Sequence, residues 1–240
     1  MNNNIDNSNG IITYNYKFIL GNGVEREFDI KLDNNLNLIR KTRKESYPKW
    51  TELKDFKCPN CSLDKDSHEF CPVVVNLVDL FDFFRDAFSY EEVDMLIEVE
   101  ERGYVKHTTL QDGISSLIGI YMVTSGCPIM ERLKPMVRYH LPFSTLEETR
   151  YRVISMYLLA QYFLYKRGKK PDWELKNLVK IYDDIRIVNK NFCEKLSDIK
   201  IKDASINALV KLDCFASHVS VSIDINMLDE IESLFNPYFE

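Results

Sequence analysis

Hydrophobic and polar residues alternate one for one near the start of the chain. Ile12, Tyr14, Tyr16, Phe18 and Leu20 share one face, with Thr13, Asn15 and Lys17 between them. After Gly21-Asn22-Gly23 the alternation resumes, with Val24, Arg26, Phe28, Ile30 and Leu32 set against Glu25, Glu27, Asp29 and Lys31. Period two on both sides of a glycine-rich turn predicts a β-hairpin with one buried face. Leu36 and Leu38 predict the start of a third strand. Periodicity is then lost over 43–57, around Pro48 and Trp50.

The period changes after Cys71-Pro72. Val74, Leu77, Val78, Phe81, Phe84 and Phe88 follow helical spacing, with Asp79, Asp82 and Asp86 largely on other faces. A second hairpin follows, with Val93, Met95, Ile97 and Val99 leading through Arg102-Gly103 into a strand over 104–109. An isolated hairpin is only marginally stable, so the two are expected to share one antiparallel sheet.

From Leu110 onward the pattern is helical. Ser144 and Glu147 read as a capping box for a helix from about Leu146 to Arg167, with Gly168 placed to stop it. Between Val153 and Tyr165 that helix is apolar on nearly all sides, which predicts a central, surrounded element. Pro171-Asp172 opens another, with the stripe Leu175, Leu178, Val179, Tyr182, Ile185, Asn189, Phe192 and Leu196. Two more are expected near 203–219 and 225–235. The expected fold is α+β: an antiparallel sheet from two hairpins, a metal-binding loop and a C-terminal bundle of about five helices. Residues 1–10 read as a disordered tail and 11–240 as one compact domain, with sheet, loop and first helix in 11–109 and the helical part in 110–240.

Composition narrows the function classes. With 240 residues, 45% of them hydrophobic and 28% charged, the chain is of globular type. A net charge of −6 argues against a mainly electrostatic nucleic-acid binder. The basic run Lys166, Arg167, Lys169 and Lys170 reads as a helix C-terminus complementing its dipole. The Asn-rich opening residues lack the apolar core of a secretory signal. Two uncharged stretches, 114–130 and 153–165, read as buried helices rather than membrane spans, the second being too short. A cytoplasmic protein without membrane insertion is expected, with its six cysteines reduced.

Those cysteines carry the most specific chemistry. Cys58-Pro-Asn-Cys61 followed by His68 and Cys71 gathers three thiols and an imidazole in one short loop. Zn2+ takes such sets tetrahedrally, and four protein ligands make a closed, structural site. The expected metal ligands are therefore Cys58, Cys61, His68 and Cys71. An iron–sulfur cluster is the rival: Cys58, Cys71 and Cys127 each precede proline, and Cys127, in Thr-Ser-Gly-Cys-Pro, could supply the fourth thiolate in place of His68. At a helix start Cys127 could instead be a low-pKa nucleophile. A thioredoxin-like redox pair would need a helix beginning at the CxxC itself, whereas the helix begins only after Cys71. Cys193 and Cys214 fall inside helical patterns and read as core.

A second cluster, Arg138, His140, Glu147, Glu148 and Arg150, holds the raw material of acid–base catalysis. Helix capping accounts for most of it. Common nucleotide-binding and hydrolase signatures are missing from the sequence.

The segments Trp50-Thr-Glu-Leu, Cys-Pro-Asn-Cys-Ser-Leu, His-x2-Cys-Pro, Thr-Ser-Gly-Cys-Pro, His-Leu-Pro-Phe and Ser-Met-Tyr-Leu-Leu-Ala-Gln-Tyr-Phe resemble an uncharacterised bacterial family, a domain of unknown function, from about Tyr14 to the C-terminus. The resemblance implies that the loop cysteines, His68, the Cys127 segment and the His140 segment belong together. It brings no activity or partner. The sequence thus points to a non-enzymatic interaction or regulatory module with structural zinc and an unidentified protein partner. An iron–sulfur or thiol sensor, and an enzyme with a pocket near Cys127 and His140, stand as alternatives.

Overall fold

The computed structural model describes residues 10–39, 46–199, 201–224 and 228–239. The tail expected over 1–10 lies, but for Gly10, outside the described residues. The first hairpin forms as the alternation requires, from β1 (Ile12–Leu20) and β2 (Glu25–Leu32), turning where Gly23 adopts φ 81°. Leu38 makes only an isolated bridge to Leu32, so no third strand forms among the described residues 36–39, and residues 40–45 lie outside the described residues.

The chain then passes through a 3-10 turn at Lys49–Thr51, the short α1 (Leu53–Phe56), the cysteine loop and α2 (Pro72–Phe83). Strands β3 (Glu92–Val99) and β4 (Arg102–Thr109) form the second hairpin. All four strands join one antiparallel sheet in the order β2-β1-β3-β4. Tyr14, Tyr16 and Phe18 of β1, Phe28, Ile30 and Leu32 of β2, and Val93, Met95 and Ile97 of β3 all point to one buried face. The outer strand β4 keeps both faces largely in solvent, and its Arg102, Lys106 and His107 suit an exposed edge.

Helix α3 (Leu110–Val123) lies on the buried face of the sheet. Gly113 allows this close approach: a Cβ there would stand 2.8 Å from Met95 Sδ and 3.1 Å from Phe18 Cε1. We expect Gly113→Val to cost about 1–3 kcal/mol through overpacking, despite the gain in helix propensity. At Gly119 an added Cβ meets only Leu212 Cδ2, at 3.9 Å, so Gly119→Ala should be neutral or stabilising. Paired thermal melts test the contrast, and equal responses would mean that α3 does not sit so close to the sheet.

Beyond α3 come a 3-10 turn at Met130–Leu133, α4 (Lys134–Arg138), α5 (Leu146–Lys166), α6 (Lys176–Ser197), α7 (Asp203–Asp224) and α8 (Asp229–Glu232). Helix α7 packs between α3 and α6, which completes the layers of sheet, α3 and outer helical pair. Asp172 caps α6 from outside it, accepting the Asn177 N–H at 2.7 Å. Of the helix expected over 225–235, residues 225–227 lie outside the described residues; the remainder holds α8 and a 3-10 turn.

Two expectations about α5 change. Its capping box is Thr145 with Glu148, one residue later than expected: Glu148 N–H donates to Thr145 Oγ1, and Thr145 N–H to Glu148 Oε2. Nor is the helix surrounded. It buries Val153, Ile154, Tyr157 and Gln161, while Leu159, Tyr162, Phe163 and Tyr165 are exposed. Among the described residues no helix is long and apolar enough to cross a membrane.

Candidate functional site

Two neighbouring regions concentrate the chemistry: the cysteine loop, and a cavity under α3. In the loop, Cys61 N–H donates to Cys58 O at 3.0 Å, the tight turn that Cys-Pro-Asn-Cys favours. Asn60 Nδ2 fastens this turn to α6 through Asp184 O at 3.0 Å. Asn191 of α6 donates to Cys58 Sγ at 3.3 Å.

Cys71 sits at the N-cap of α2, with its own N–H on Thr51 O at 3.0 Å. Its sulfur accepts the backbone N–H groups of Val73 and Val74. Cys127 repeats the arrangement at the end of α3, where its sulfur accepts Ile129 and Met130 N–H. Both follow from Cys-Pro: proline starts the next turn without needing a partner for its nitrogen, and the free N–H groups beyond it point back at the sulfur.

Cys58, Cys61, Cys71 and Cys127 thus come from three stretches of chain to line one void of about 10 Å3, walled by Leu53, Phe56 and Phe192. Cys58, Cys71 and Cys127 are buried and Cys61 is partly so. Burial, helped by the neighbouring sulfurs, pushes the Cys58 thiol up to about 12 and the Cys71 thiol up to about 11. Burial also raises Cys127, which removes the expectation of a low-pKa nucleophile there. Among the described residues no group of three or more His, Cys, Asp or Glu side chains stands as a ready metal-holding set.

His68 is elsewhere. It is exposed, its Nδ1 3.0 Å from Ser67 Oγ, at the end of a turn in which its N–H donates to Asp64 O at 2.9 Å. It does not line the void. Cys193 is partly buried on α6, and Cys214 is exposed on α7 rather than in the core.

The cavity under α3 is larger, about 210 Å3, and shares no lining residue with the cysteine void. His140 lines it and Cys127 does not, so these two residues serve separate spaces. His140 Nε2 is 2.6 Å from Tyr16 Oη and 3.3 Å from Ser116 Oγ, which is itself 3.0 Å from Tyr16 Oη. Burial raises the Tyr16 phenol, so it stays protonated, and with the Nδ1–H tautomer of His140 it donates to Nε2. His140 lines the cavity, and burial, with the Arg152 charge adding to it, holds the imidazole down at about 3. A neutral acceptor of this kind orders its neighbours; it is a poor general base at neutral pH.

Arg152 of α5 also lines the cavity, with Nη2 donating to Met136 O at 3.0 Å and Tyr139 O at 2.7 Å. Among the described residues no carboxylate pairs with it. Arg138, Glu147, Glu148 and Arg150 do not line the cavity, and Arg150 pairs instead with Glu230 at 3.0 Å. Sequence reasoning missed Tyr16, Ser116, Arg152 and Asn191. One signal was available in Asn189, a polar residue in the apolar stripe of α6, which now lines the cavity with its Oδ1 unpartnered.

A family model described as a domain of unknown function (DUF6901) matches residues 12–236. No curated protein and no solved structure matches the chain significantly.

Proposed function

The chain belongs to that family, which carries no activity to transfer, and from the site alone we propose a non-enzymatic metal-binding module in which Cys58, Cys61, Cys71 and Cys127 hold one Zn2+ as a structural centre. The observation that carries the reading is the convergence of four sulfurs from three separate segments on one small void. Holding the ion would require the side chains to turn their sulfurs onto a common centre, and metal binding would deprotonate them. N–H groups already aimed at Cys58, Cys71 and Cys127 suit thiolate ligands, supporting the first shell as metal sites require. Four protein ligands leave no open position for substrate, which is why the centre is read as structural.

The same four thiols are the set an iron–sulfur centre would use. A void of about 10 Å3, the space of one small particle, favours a single ion over a cluster core. Elemental analysis of anaerobically purified protein tests this. We expect one equivalent of zinc, a colourless sample, loss of the metal in Cys127→Ser and its retention in His68→Ala. Iron with sulfide, no metal at all, or retention in Cys127→Ser with loss in His68→Ala would overturn the proposal.

A further inference from the structure

We propose that the cavity under α3 is a binding site for a small monocarboxylate with an apolar body, its carboxylate held by Arg152 and Tyr182 and its body lying among Met122, Leu133, Met136 and Phe215. The inference is independent of the metal, since the two spaces share no lining residue.

Charge comes first. The cavity is bordered by three cations, Lys106, Arg152 and Lys211, and by one carboxylate, Asp112, in a chain whose net charge is −6. Lys211 is paired with Asp112, and Lys106 stacks over the Phe143 ring at 5.2 Å. Arg152 has only neutral carbonyl partners, on Nη2, so its guanidinium retains unused donors, and Glu148 acts on its charge without a direct ion pair. A partly buried cation of this kind is costly unless an anion meets it. Its planar donors match a carboxylate well.

The polar groups beside it are also incomplete. Tyr182 lines the cavity, and among the described residues its hydroxyl has no hydrogen-bond partner. Asn189 is 2% exposed and its Oδ1 is without a partner. A buried polar atom left open as Asn189 Oδ1 is uncommon in native proteins and calls for an explanation. Ser116 and His140, by contrast, line the cavity with their hydrogen bonds already met by each other and by Tyr16 behind them.

Size and lining select the rest of the ligand. A cavity of about 150 Å3 admits benzene, so 210 Å3 accommodates an aromatic ring or short branched chain together with its carboxylate. Methionine-rich walls adapt to such bodies. A phosphate ester fits less well, since no glycine-rich phosphate loop is present in the sequence.

Phenylacetate and its uncharged isostere phenylacetamide, titrated calorimetrically into the full-length protein, test the proposal. Phenylacetate should bind and raise the melting temperature. The amide should bind about 10- to 100-fold more weakly, as loss of a charged hydrogen-bond partner predicts. Arg152→Gln should erase the difference between the two. Because Arg152 also ties down the α4–α5 connection, a second variant guards against simple unfolding. Gly119→Leu projects a side chain from α3 into the cavity, where an added Cβ meets only Leu212 Cδ2, at 3.9 Å. It should keep the parent circular dichroism and melting temperature and lose binding of both compounds. Equal affinity for acid and amide, no binding of phenylacetate at millimolar concentration, or unchanged binding in a folded Gly119→Leu would overturn the proposal.

Discussion

Phe192→Ala should lower stability by about 3–5 kcal/mol, the range for removing a buried aromatic ring and leaving a cavity. For a chain of this length that corresponds to a fall in melting temperature of roughly 6–20 °C. Phe192 has no exposed surface, and its ring meets Phe56 edge to face, with centroids 4.7 Å apart. Both rings wall the void between the cysteines, so the truncation would enlarge the space shared by α1, α6 and the cysteine turn. The control is Ile187→Ala, whose side chain is 38% exposed on the same helix. It should change stability by only a few tenths of a kcal/mol. Urea and thermal unfolding of both variants check the expectation, and comparable losses would mean that the Phe56–Phe192 contact is not part of the core.

Stability should also fall as the pH drops from about 6.5 toward about 3, through His140. Its folded-state pKa lies below the unfolded value, so within that window the unfolded chain takes up a proton that the native imidazole refuses. The contribution is complete above the unfolded pKa and is lost progressively as the pH falls, by on the order of 1 kcal/mol per unit. The groups around the imidazole are Tyr14, Tyr16, Ser116 and Arg152. At the low end of the window and below it the capping carboxylates add to the loss. Partial burial raises Asp172 and Asp203, but the N–H groups of Asn177 and Ser89 bring both net below the ordinary value. His107 acts in the opposite sense, since its hydrogen bond to Asp94 raises it and its contribution is lost as the pH rises. His140→Gln keeps an acceptor for the Tyr16 hydroxyl but does not titrate. Melting temperature against pH should flatten between 6.5 and the carboxylate range in this variant alone; parallel curves for variant and parent would refute the assignment.

Much of this arrangement was legible in the sequence, for identifiable reasons. Strand alternation at Tyr14, Tyr16 and Phe18 reports burial on one face directly, because the pleat has period two. The capping box was placed one residue early because Ser-Thr-Leu-Glu-Glu contains two overlapping Ser/Thr-x-x-Glu registers. Ser144 Oγ lies 3.0 Å from Thr149 Oγ1, which leaves Thr145 to cap. For α5, hydrophobicity on all sides was equated with burial all round, but Leu159, Tyr162 and Phe163 lie on a face that no other described element covers. In the cysteine loop, spacing sees only what is close along the chain. It therefore favoured His68, whereas Cys127 reaches the void through the packing of α3, which local spacing does not encode. The cavity is a tertiary object for the same reason, drawing Ser116, His140, Arg152 and Tyr182 from four different segments.

The pairing of β1 with β3 sets the order in which this chain can assemble. Leu20 meets Val93, and Tyr14 meets Val99, so the cysteine turn and α2 form one long excursion between adjacent strands. Each hairpin can close locally on the microsecond scale. Joining them requires the ends of that excursion to meet, and the entropy of closure must be met before the ladder repays it. Docking of one hairpin on the other is therefore the expected rate-limiting event, as for other folds dominated by distant contacts. During synthesis the first hairpin emerges well before β3, with the inner edge of β1 open and Tyr16 and Phe18 uncovered. A chain truncated between the two hairpins keeps that edge indefinitely, and such fragments should aggregate where the whole protein does not.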